Sequence, residues 1–306
     1  MNKNLYLFLA KHQGLRRELS VKNEEREEAL RRFEKEQETE VPYAWLEKQV
    51  LVRETVIQGC RCVILSGKTG AADRAVLYLY GGAFLTGAKA LDFQLGAYLA
   101  KNTGQDVWIL LYPLFPKHLI HESAEAVLEA MKRMAGHYDR HHITWFGFSS
   151  GASLCMYAWM MNRRESRCVP MPERMILNSP VLRVPVSEEE KRRMEAVQDD
   201  LLPPVFFSEE GLCGMMVSRD MAYSYLGDVL SFPLRYFPET DLFFGTNECL
   251  RIFLEEFEEK CAKEHISLHV QEGKGLWHCY GLDPRTPEGK AAWMEYISLL
   301  KRAGSV

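Results

Sequence analysis

The feature that most constrains the fold of this chain is a Gly-x-Ser-x-Gly turn between an apolar run and an apolar helix-like segment. The run covers residues 143–146, the turn 147–151 and the helix-like segment 152–161. A strand, a sharp turn and a helix in this order predict a nucleophile elbow, in which the central residue, Ser149, has a strained backbone and an accessible hydroxyl. The helix N-terminus behind Ser149 favours developing negative charge.

Apolar runs that are typical of strands alternate with helical patterns along most of the chain. The predicted helices after the first strands cover 91–102 and 124–135, and a C-terminal helix includes Trp293 and Leu300. Because strands and helices alternate, we expect an α/β fold with a mainly parallel, twisted sheet of about eight strands, helices on both faces and a helical cap. The predicted strands are 50–57, 60–65, 75–80, 106–112, 143–146, 174–178, 241–245 and 266–270.

Two segments depart from this alternation. Residues 1–48 are rich in charges of both signs, and a sparse apolar stripe predicts one or two helices that form an N-terminal cap segment. Residues 183–238 contain a charged run, two adjacent prolines and a stretch rich in Met and Tyr. This second segment is either an irregular connection or a lid that lines an apolar pocket. The residues of the N-terminal stripe are Leu15, Leu19, Leu30 and Phe33.

Composition excludes several classes of function. The 306 residues carry a formal net charge of −4, which is no signature of nucleic-acid binding. The eight cysteines include no C-x-x-C pair, so we expect buried thiols in a reducing compartment and no metal site. The apolar run at residues 5–10 is too short for a signal peptide, and no span of ~18 apolar residues predicts a membrane helix. The sequence thus favours a cytoplasmic protein.

A serine nucleophile needs a base, and three histidines follow Ser149. His265 lies at the end of a predicted helix and His269 inside a predicted strand, so both are expected to be structural or solvated. His278 lies in a loop after the last predicted strand. Loops at the carboxyl ends of strands are where an α/β sheet presents its site residues, so His278 is the predicted base.

The base in turn needs a carboxylate that orients it. Glu248 follows a predicted strand and precedes a helix, which places it at the same edge of the sheet as Ser149. Asp241 lies at the beginning of that strand and therefore at the opposite edge, and Asp283 follows the histidine in the chain. Glu248 is the predicted acid, although a glutamate there could also favour the helix dipole.

An oxyanion hole needs backbone N–H groups aimed at the developing charge. The small residues at 81–83, directly after the third predicted strand, can supply two of these donors because they allow the backbone to approach a substrate closely. The N–H of Ser150 is the third expected donor.

Taken in order, these segments resemble the hormone-sensitive-lipase-like branch of the α/β-hydrolases. Residues 80–84 resemble its His-Gly-Gly-Gly motif, 112–116 its Tyr-x-Leu-x-Pro segment, and 147–151 its elbow. Residues 245–250 and 278–280 are similar to its acid and histidine segments. The resemblance covers about residues 70–300 and implies an α/β-hydrolase domain at 49–306 that is an esterase without cofactor or metal.

The resemblance also implies roles for individual residues. Ser149 would be the nucleophile, His278 the base and Glu248 the acid, while Gly82, Ala83 and Ser150 would form the oxyanion hole. Tyr80 and Gly81 would support that loop. Two residues depart from the family motif: Tyr80 stands for its histidine and Ala83 for its last glycine, so activity or substrate choice is expected to differ.

The function predicted from the sequence is hydrolysis of small esters with short to medium acyl chains through a Ser-His-Glu triad and an acyl-enzyme. Two alternatives stay open: a ligand-binding protein without catalysis on the same fold, and an amide or acyl-peptide hydrolase. A small ester is the expected partner, with no nucleic acid and no membrane span. The sequence leaves the oligomeric state open, with a homodimer as one alternative.

Overall fold

The computed structural model describes residues 16–68, 72–197, 199 and 201–302, and its centre is one eight-stranded sheet in the order β1-β2-β4-β3-β5-β6-β7-β8. β1 and β2 are antiparallel to their neighbours, and all the other pairs are parallel. This confirms the predicted α/β architecture. The strands are β1 (Leu51–Ile57), β2 (Cys60–Ser66), β3 (Ala75–Leu79), β4 (Asp106–Leu110), β5 (Ile143–Phe148), β6 (Arg174–Asn178), β7 (Glu239–Gly245) and β8 (Leu268–Gly273).

Helices cover both faces of the sheet. The connection from β3 to β4 runs in the opposite direction across the sheet from those that follow, so right-handed crossovers place its helix on the other face. Further 3₁₀ turns lie between the elements. The α-helices are α1 (Glu25–Phe33), α2 (Tyr43–Gln49), α3 (Ala90–Thr103), α4 (Ile120–Ala135), α5 (Ser150–Arg164), α6 (Glu188–Ala196), α7 (Leu212–Arg219), α8 (Leu254–Lys263) and α9 (Pro287–Arg302).

The helix that follows the elbow lies at the centre of the molecule. Every residue of α5 from 150 to 162 is buried, and the helix packs against β5 and α4. On the other face, α3 packs against α9 and against β2 and β4. Because this part of α5 is buried on every side, it has no polar stripe facing solvent, which explains why its sequence lacks an amphipathic pattern.

The N-terminal part of the chain packs against the connection between β6 and β7. The N–H of Asn23 donates to the carbonyl of Glu210 at 3.2 Å, and Arg26 donates to the carbonyl of Glu209 at 3.0 Å. The apolar stripe in this part is buried and is not a solvated helix face: Leu19, Leu30 and Phe33 belong to the core, while Leu15 lies outside the described residues.

Several predicted bounds differ from the structure. β5 continues two residues further, to Phe148, β7 begins two residues earlier, at Glu239, and the helix predicted from residue 124 begins at Ile120. β4 ends at Leu110, two residues earlier than predicted, and Pro113, which has no N–H to donate, follows shortly after it. β8 covers Leu268–Gly273, whereas the sequence predicts a strand at 266–270. About half of the described residues in the connection at 183–238 are helical, in α6, α7 and two 3₁₀ segments. None of the helices within the described ranges has the length and apolar character that crossing a membrane requires.

Candidate active site

The turn between β5 and α5 has the geometry of a nucleophile elbow. Ser149 has φ 50° and ψ −120°, a strained conformation for a residue with a side chain. Both flanking glycines are required by sterics. A Cβ on Gly147 would lie 2.6 Å from the backbone of Ala152, and one on Gly151 would lie 2.1 Å from the carbonyl oxygen of Leu79. The strand, turn and helix therefore hold the serine at the carboxyl edge of the sheet.

Three side chains from separate loops meet at this edge. Nε2 of His278 lies 2.8 Å from Oγ of Ser149, and Nδ1 lies 2.7 Å from Oε2 of Glu248. His278 is in the loop after β8, and Glu248 is in the loop after β7. With a proton on Nδ1 facing the carboxylate, Nε2 is free to accept the proton of the serine hydroxyl.

The Glu248 carboxylate is completely buried. Its Oε1 accepts hydrogen bonds from the N–H of Gly245 and the hydroxyl of Ser179, each at 2.9 Å, while Oε2 faces His278. Burial raises the pKa of Glu248, and the hydrogen bonds from His278, Ser179 and Gly245 oppose that rise. These donors stabilise the charge of a carboxylate that is itself shielded from solvent.

The pKa of His278 is raised well above its ordinary value of 6.5. Burial by itself lowers the pKa of this imidazole, but the sulfur of Cys279 and the carboxylate of Glu248 raise it by more. Sγ of Cys279 lies 3.5 Å from Nε2, on the same nitrogen that faces Ser149. The imidazole is therefore a stronger base than a solvated histidine.

The loop after β3 leaves backbone donors unpaired. Gly82 has φ +142°, Ala83 has φ 57°, and among the described residues the N–H groups of both have no hydrogen-bond partner. A Cβ on Gly81 would lie 3.3 Å from Cβ of Ser149, so this loop runs beside the serine. Ser150 is the first residue of α5, and its N–H has no carbonyl one turn earlier in the helix to bond.

A pair of tyrosines lies behind this loop. The hydroxyl of Tyr112 donates to the carbonyl of Tyr80 at 2.7 Å, and the hydroxyl of Tyr80 donates to the carbonyl of Tyr112 at 3.5 Å. Their rings stack with centroids 4.4 Å apart, and both side chains are buried. The two tyrosines thus fix the backbone immediately before Gly81, at the position where the family motif has a histidine.

The other aspartates and histidines named from the sequence have partners other than Ser149 or face solvent. Asp241 is buried 3.4 Å from Arg174 at the opposite end of β7, and Asp283 binds Arg285 at 2.8 Å. His265 and His269 are exposed. Within the part of the chain that the structure describes, no group of three or more His, Cys, Asp or Glu side chains could hold a metal ion.

Sequence reasoning missed two residues that contact the acid segment. Ser179 binds Glu248 directly, and the buried Asp199 carboxylate accepts the N–H of Cys249 at 2.8 Å. Neither has a local sequence signal, because a serine after a strand and an aspartate in a connection are common. Asp199 also accepts from the N–H groups of Leu201 and Leu202.

Known proteins share this architecture. A family model described as alpha/beta hydrolase fold matches residues 76–282. An esterase from the bacterial hormone-sensitive lipase family has a TM-score of 0.76 at 18% identity, and the match covers 96% of this chain and 97% of that chain. A double mutant of the esterase E40 has a TM-score of 0.77 at 18% identity over 99% of each chain.

A third solved structure, EstE5 soaked by p-nitrophenyl butyrate, has a TM-score of 0.72 at 18% identity over 93% of this chain and 100% of that chain. No curated protein sequence matches this chain closely enough to count as a relative. At this level of identity the solved structures establish the fold, and the family model covers about two thirds of the chain. The protein therefore belongs to the family with the alpha/beta hydrolase fold.

Proposed function

We propose that this protein is a serine carboxylic ester hydrolase of the hormone-sensitive-lipase-like type. The observation that carries the proposal is the chain of contacts from Ser149 Oγ through His278 to Glu248, at 2.8 and 2.7 Å. It lies beside a loop whose N–H groups at Gly82 and Ala83 have no partner among the described residues. A hydroxyl, an imidazole and a buried carboxylate in this order are the components of acyl transfer through a covalent intermediate.

In the proposed mechanism Ser149 Oγ attacks the ester carbonyl carbon while Nε2 of His278 takes the hydroxyl proton. The carbonyl oxygen becomes an oxyanion that accepts hydrogen bonds from the N–H groups of Gly82, Ala83 and Ser150. Collapse of this intermediate breaks the bond to the alcohol, which leaves with the proton from His278. Water then attacks the acyl-enzyme with His278 again as base, and the carboxylic acid is released.

Glu248 keeps the imidazole oriented and stabilises its positive charge in both transition states. The three donors around its carboxylate support this role because they hold the charge in place before the reaction begins. Tyr80 and Gly81 support the oxyanion loop, the tyrosine through its stacked partner Tyr112 and the glycine through its close approach to Ser149.

The substrate we propose is a small ester with a short to medium acyl chain. The hydrolase domain is proposed at 49–306. Its connection at 183–238 and the N-terminal segment 1–48, of which the structure describes residues 16–48, would together form the cap. The hydrogen bonds from Asn23 to Glu210 and from Arg26 to Glu209 support this, because they join the two segments. All eight cysteines are free thiols, which fits the proposed cytoplasmic location.

The test is hydrolysis of p-nitrophenyl acetate, butyrate and octanoate by the wild type and by Ser149→Ala. We expect kcat of the variant to fall by about 10,000-fold or more, because the nucleophile and the base act as a unit. The matched control is Ser166→Ala, an exposed serine that also has φ 50° and should keep wild-type kcat.

The other outcomes separate the alternatives. Equal turnover by the wild type and Ser149→Ala would show that Ser149 is not the nucleophile. No turnover of any ester by a folded wild-type protein would support a ligand-binding protein on this fold. Faster cleavage of a matched p-nitroanilide than of the ester would support an amide hydrolase, which uses the same triad.

A further inference from the structure

A serine that follows β6 occupies a position between the acid and the histidine loop. Ser179 is completely buried and has φ 51°, a left-handed conformation that a residue with a side chain adopts only under constraint. Its own N–H donates to the carbonyl of Phe243 at 2.8 Å, which fastens it to β7. The strained backbone points to a requirement for this side chain at this place.

The Ser179 hydroxyl joins two of the three loops that form the site. It donates to Oε1 of Glu248 at 2.9 Å and accepts the N–H of Cys279 at 3.2 Å. Cys279 directly follows His278, whose Nδ1 contacts the other oxygen of the same carboxylate at 2.7 Å. The contacts therefore form a closed ring from Glu248 through His278 and Cys279 to Ser179 and back to Glu248.

We propose that Ser179 is a positioning residue that sets the orientation of the carboxylate and of the histidine loop relative to each other. The inference rests on the proposed ester hydrolysis for its kinetic consequences. The hydroxyl binds Glu248 through its proton. Through its lone pair it binds the N–H of Cys279, the residue next to His278, so it acts on both sides of the Glu248–His278 contact. The bond to Glu248 is buried, so removal of the hydroxyl takes a donor from a carboxylate that is shielded from solvent.

Other contacts hold the acid in place when Ser179 is changed. Gly245 still donates to Oε1, and Asp199 still accepts the N–H of Cys249. The loss of the hydroxyl therefore leaves the acid loop folded while the imidazole gains freedom. This separation makes the role testable, since kinetics should change more than stability.

The experiment compares Ser179→Ala and Ser179→Gly with the wild type. Both variants lose the hydroxyl, but glycine tolerates the positive φ, so Ser179→Gly separates the hydroxyl from the backbone strain. We expect kcat on p-nitrophenyl butyrate to fall about 10- to 100-fold in both, because small misplacements of a catalytic group have effects of that size. KM should stay within about two-fold, because binding is unchanged when only a step of the chemistry is affected.

A pH profile distinguishes positioning from mere loss of folded protein. Removing one donor from the Glu248 carboxylate leaves more of its negative charge to stabilise the protonated imidazole, so the acidic limb of kcat/KM should move to higher pH. Loss of folded protein alone lowers the amplitude of the profile and leaves the limb in place. The matched control is Thr240→Val, which removes a buried hydroxyl at the far end of β7 that binds the carbonyl of Pro238. It should leave both kcat and the limb unchanged.

A readout without turnover keeps the inference separate from the proposed function. In the proton NMR spectrum of the wild type we expect a low-field Nδ1–H resonance of His278, which should shift or broaden in both Ser179 variants and stay unchanged in Thr240→Val. If the wild type cleaves no ester but this resonance responds, the proposed function fails and the positioning role stands. An unchanged resonance in both Ser179 variants, or kcat within two-fold of the wild type with an unmoved acidic limb, would overturn the inference.

Discussion

The site has two halves that differ in how they treat charge: the acid half around Glu248, and the oxyanion half, which is the loop at Gly82 and Ala83. Both carboxylate oxygens of Glu248 have hydrogen-bond partners: His278 on one oxygen, and Ser179 and Gly245 on the other. Around the loop at Gly82 and Ala83 the donors face no partner among the described residues. In the proposed mechanism the first half holds a charge that is present throughout, and the second half stabilises a charge that exists only during the reaction.

The difference shows how each half is kept rigid. The acid half is fixed by hydrogen bonds to side chains, which also stabilise the charge. If the N–H groups of the oxyanion half bind the reacting oxygen, as proposed, they cannot also fix their own loop. That loop is instead held by steric contacts and by hydrogen bonds to its carbonyls. The carbonyl of Gly82 accepts from the N–H groups of Leu85 and Thr86, and the carbonyl of Tyr80 accepts from Tyr112.

The largest expected effect comes from the acid half. Glu248→Gln should lower kcat by about 1,000- to 10,000-fold, because an amide neither stabilises the imidazolium nor selects the required tautomer. Steady-state kinetics with p-nitrophenyl butyrate measures this effect. Glu239→Gln, at the opposite end of β7 and paired with Arg174, is the control and should keep wild-type kcat. A fall of less than ten-fold in Glu248→Gln would mean that the carboxylate neither orients the imidazole nor stabilises its positive charge during the reaction.

The pH dependence of kcat/KM in the wild type and in Glu248→Gln tests the contact between Glu248 and His278. His278 accepts a proton only when it is neutral, so kcat/KM of the wild type should fall about ten-fold for each pH unit below the pKa of His278. That pKa is raised above 6.5, in part by Glu248, so the acidic limb should lie above this value. In Glu248→Gln the limb should move to lower pH, because the charge that stabilised the imidazolium is gone. A limb that stays in place would contradict the coupling.

In the oxyanion half, Gly82→Ala should lower kcat by about 100- to 1,000-fold, the effect of losing one oxyanion donor. A Cβ on Gly82 would lie 2.6 Å from both the carbonyl oxygen and Oγ1 of Thr86, and the φ of +142° at Gly82 is itself strained for a residue with a side chain. The backbone that carries the N–H therefore has to move. Gly104→Ala is the control, since Gly104 also has positive φ but no atom within 4 Å of the added Cβ, and it lies between α3 and β4 at the opposite edge. Its kcat should be unchanged while its stability falls.

The smallest effect is expected behind the oxyanion loop. Tyr112→Phe removes the 2.7 Å bond to the Tyr80 carbonyl and should lower the free energy of unfolding by about 1–2 kcal/mol, with a loss of a few-fold in kcat. Tyr80→Phe removes only a 3.5 Å contact and should have the smaller effect of the two. Urea denaturation and kinetics on both variants measure this order. A larger fall in kcat for Tyr80→Phe than for Tyr112→Phe would contradict this order. It would show that the Tyr80 hydroxyl, at the position of the motif's histidine, acts directly in the reaction.

The sequence predicts those parts of the site whose signal is local. The glycines around Ser149, and the positions of Glu248 and His278 after strands, follow from short patterns and from the rule that parallel strands end at one edge. The structure brings these three side chains within hydrogen-bond distance. The capping box formed by Ser187 and Glu190 is also a local signal, and it could have predicted α6 inside the connection after β6.

Contacts between distant segments could not be predicted in this way. Ser179 and Cys279 are 100 residues apart, and Tyr80 and Tyr112 meet only because β3 and β4 are neighbours in the sheet. Asp199 reaches Cys249 from a connection whose path no periodicity reveals. These residues have ordinary local surroundings in the sequence, and only tertiary packing makes them partners of the site.

The most direct test of the central claim is covalent labelling of the nucleophile with a p-nitrophenyl alkylphosphonate, followed by peptide mass spectrometry. Attack by Ser149 forms a bond from Oγ to phosphorus and expels p-nitrophenolate, and the resulting adduct resembles the tetrahedral intermediate. We predict release of one p-nitrophenolate for each protein molecule, an adduct on the peptide that contains Ser149, and no adduct in Ser149→Ala. A label on another residue, or equal labelling of Ser149→Ala, would contradict the account.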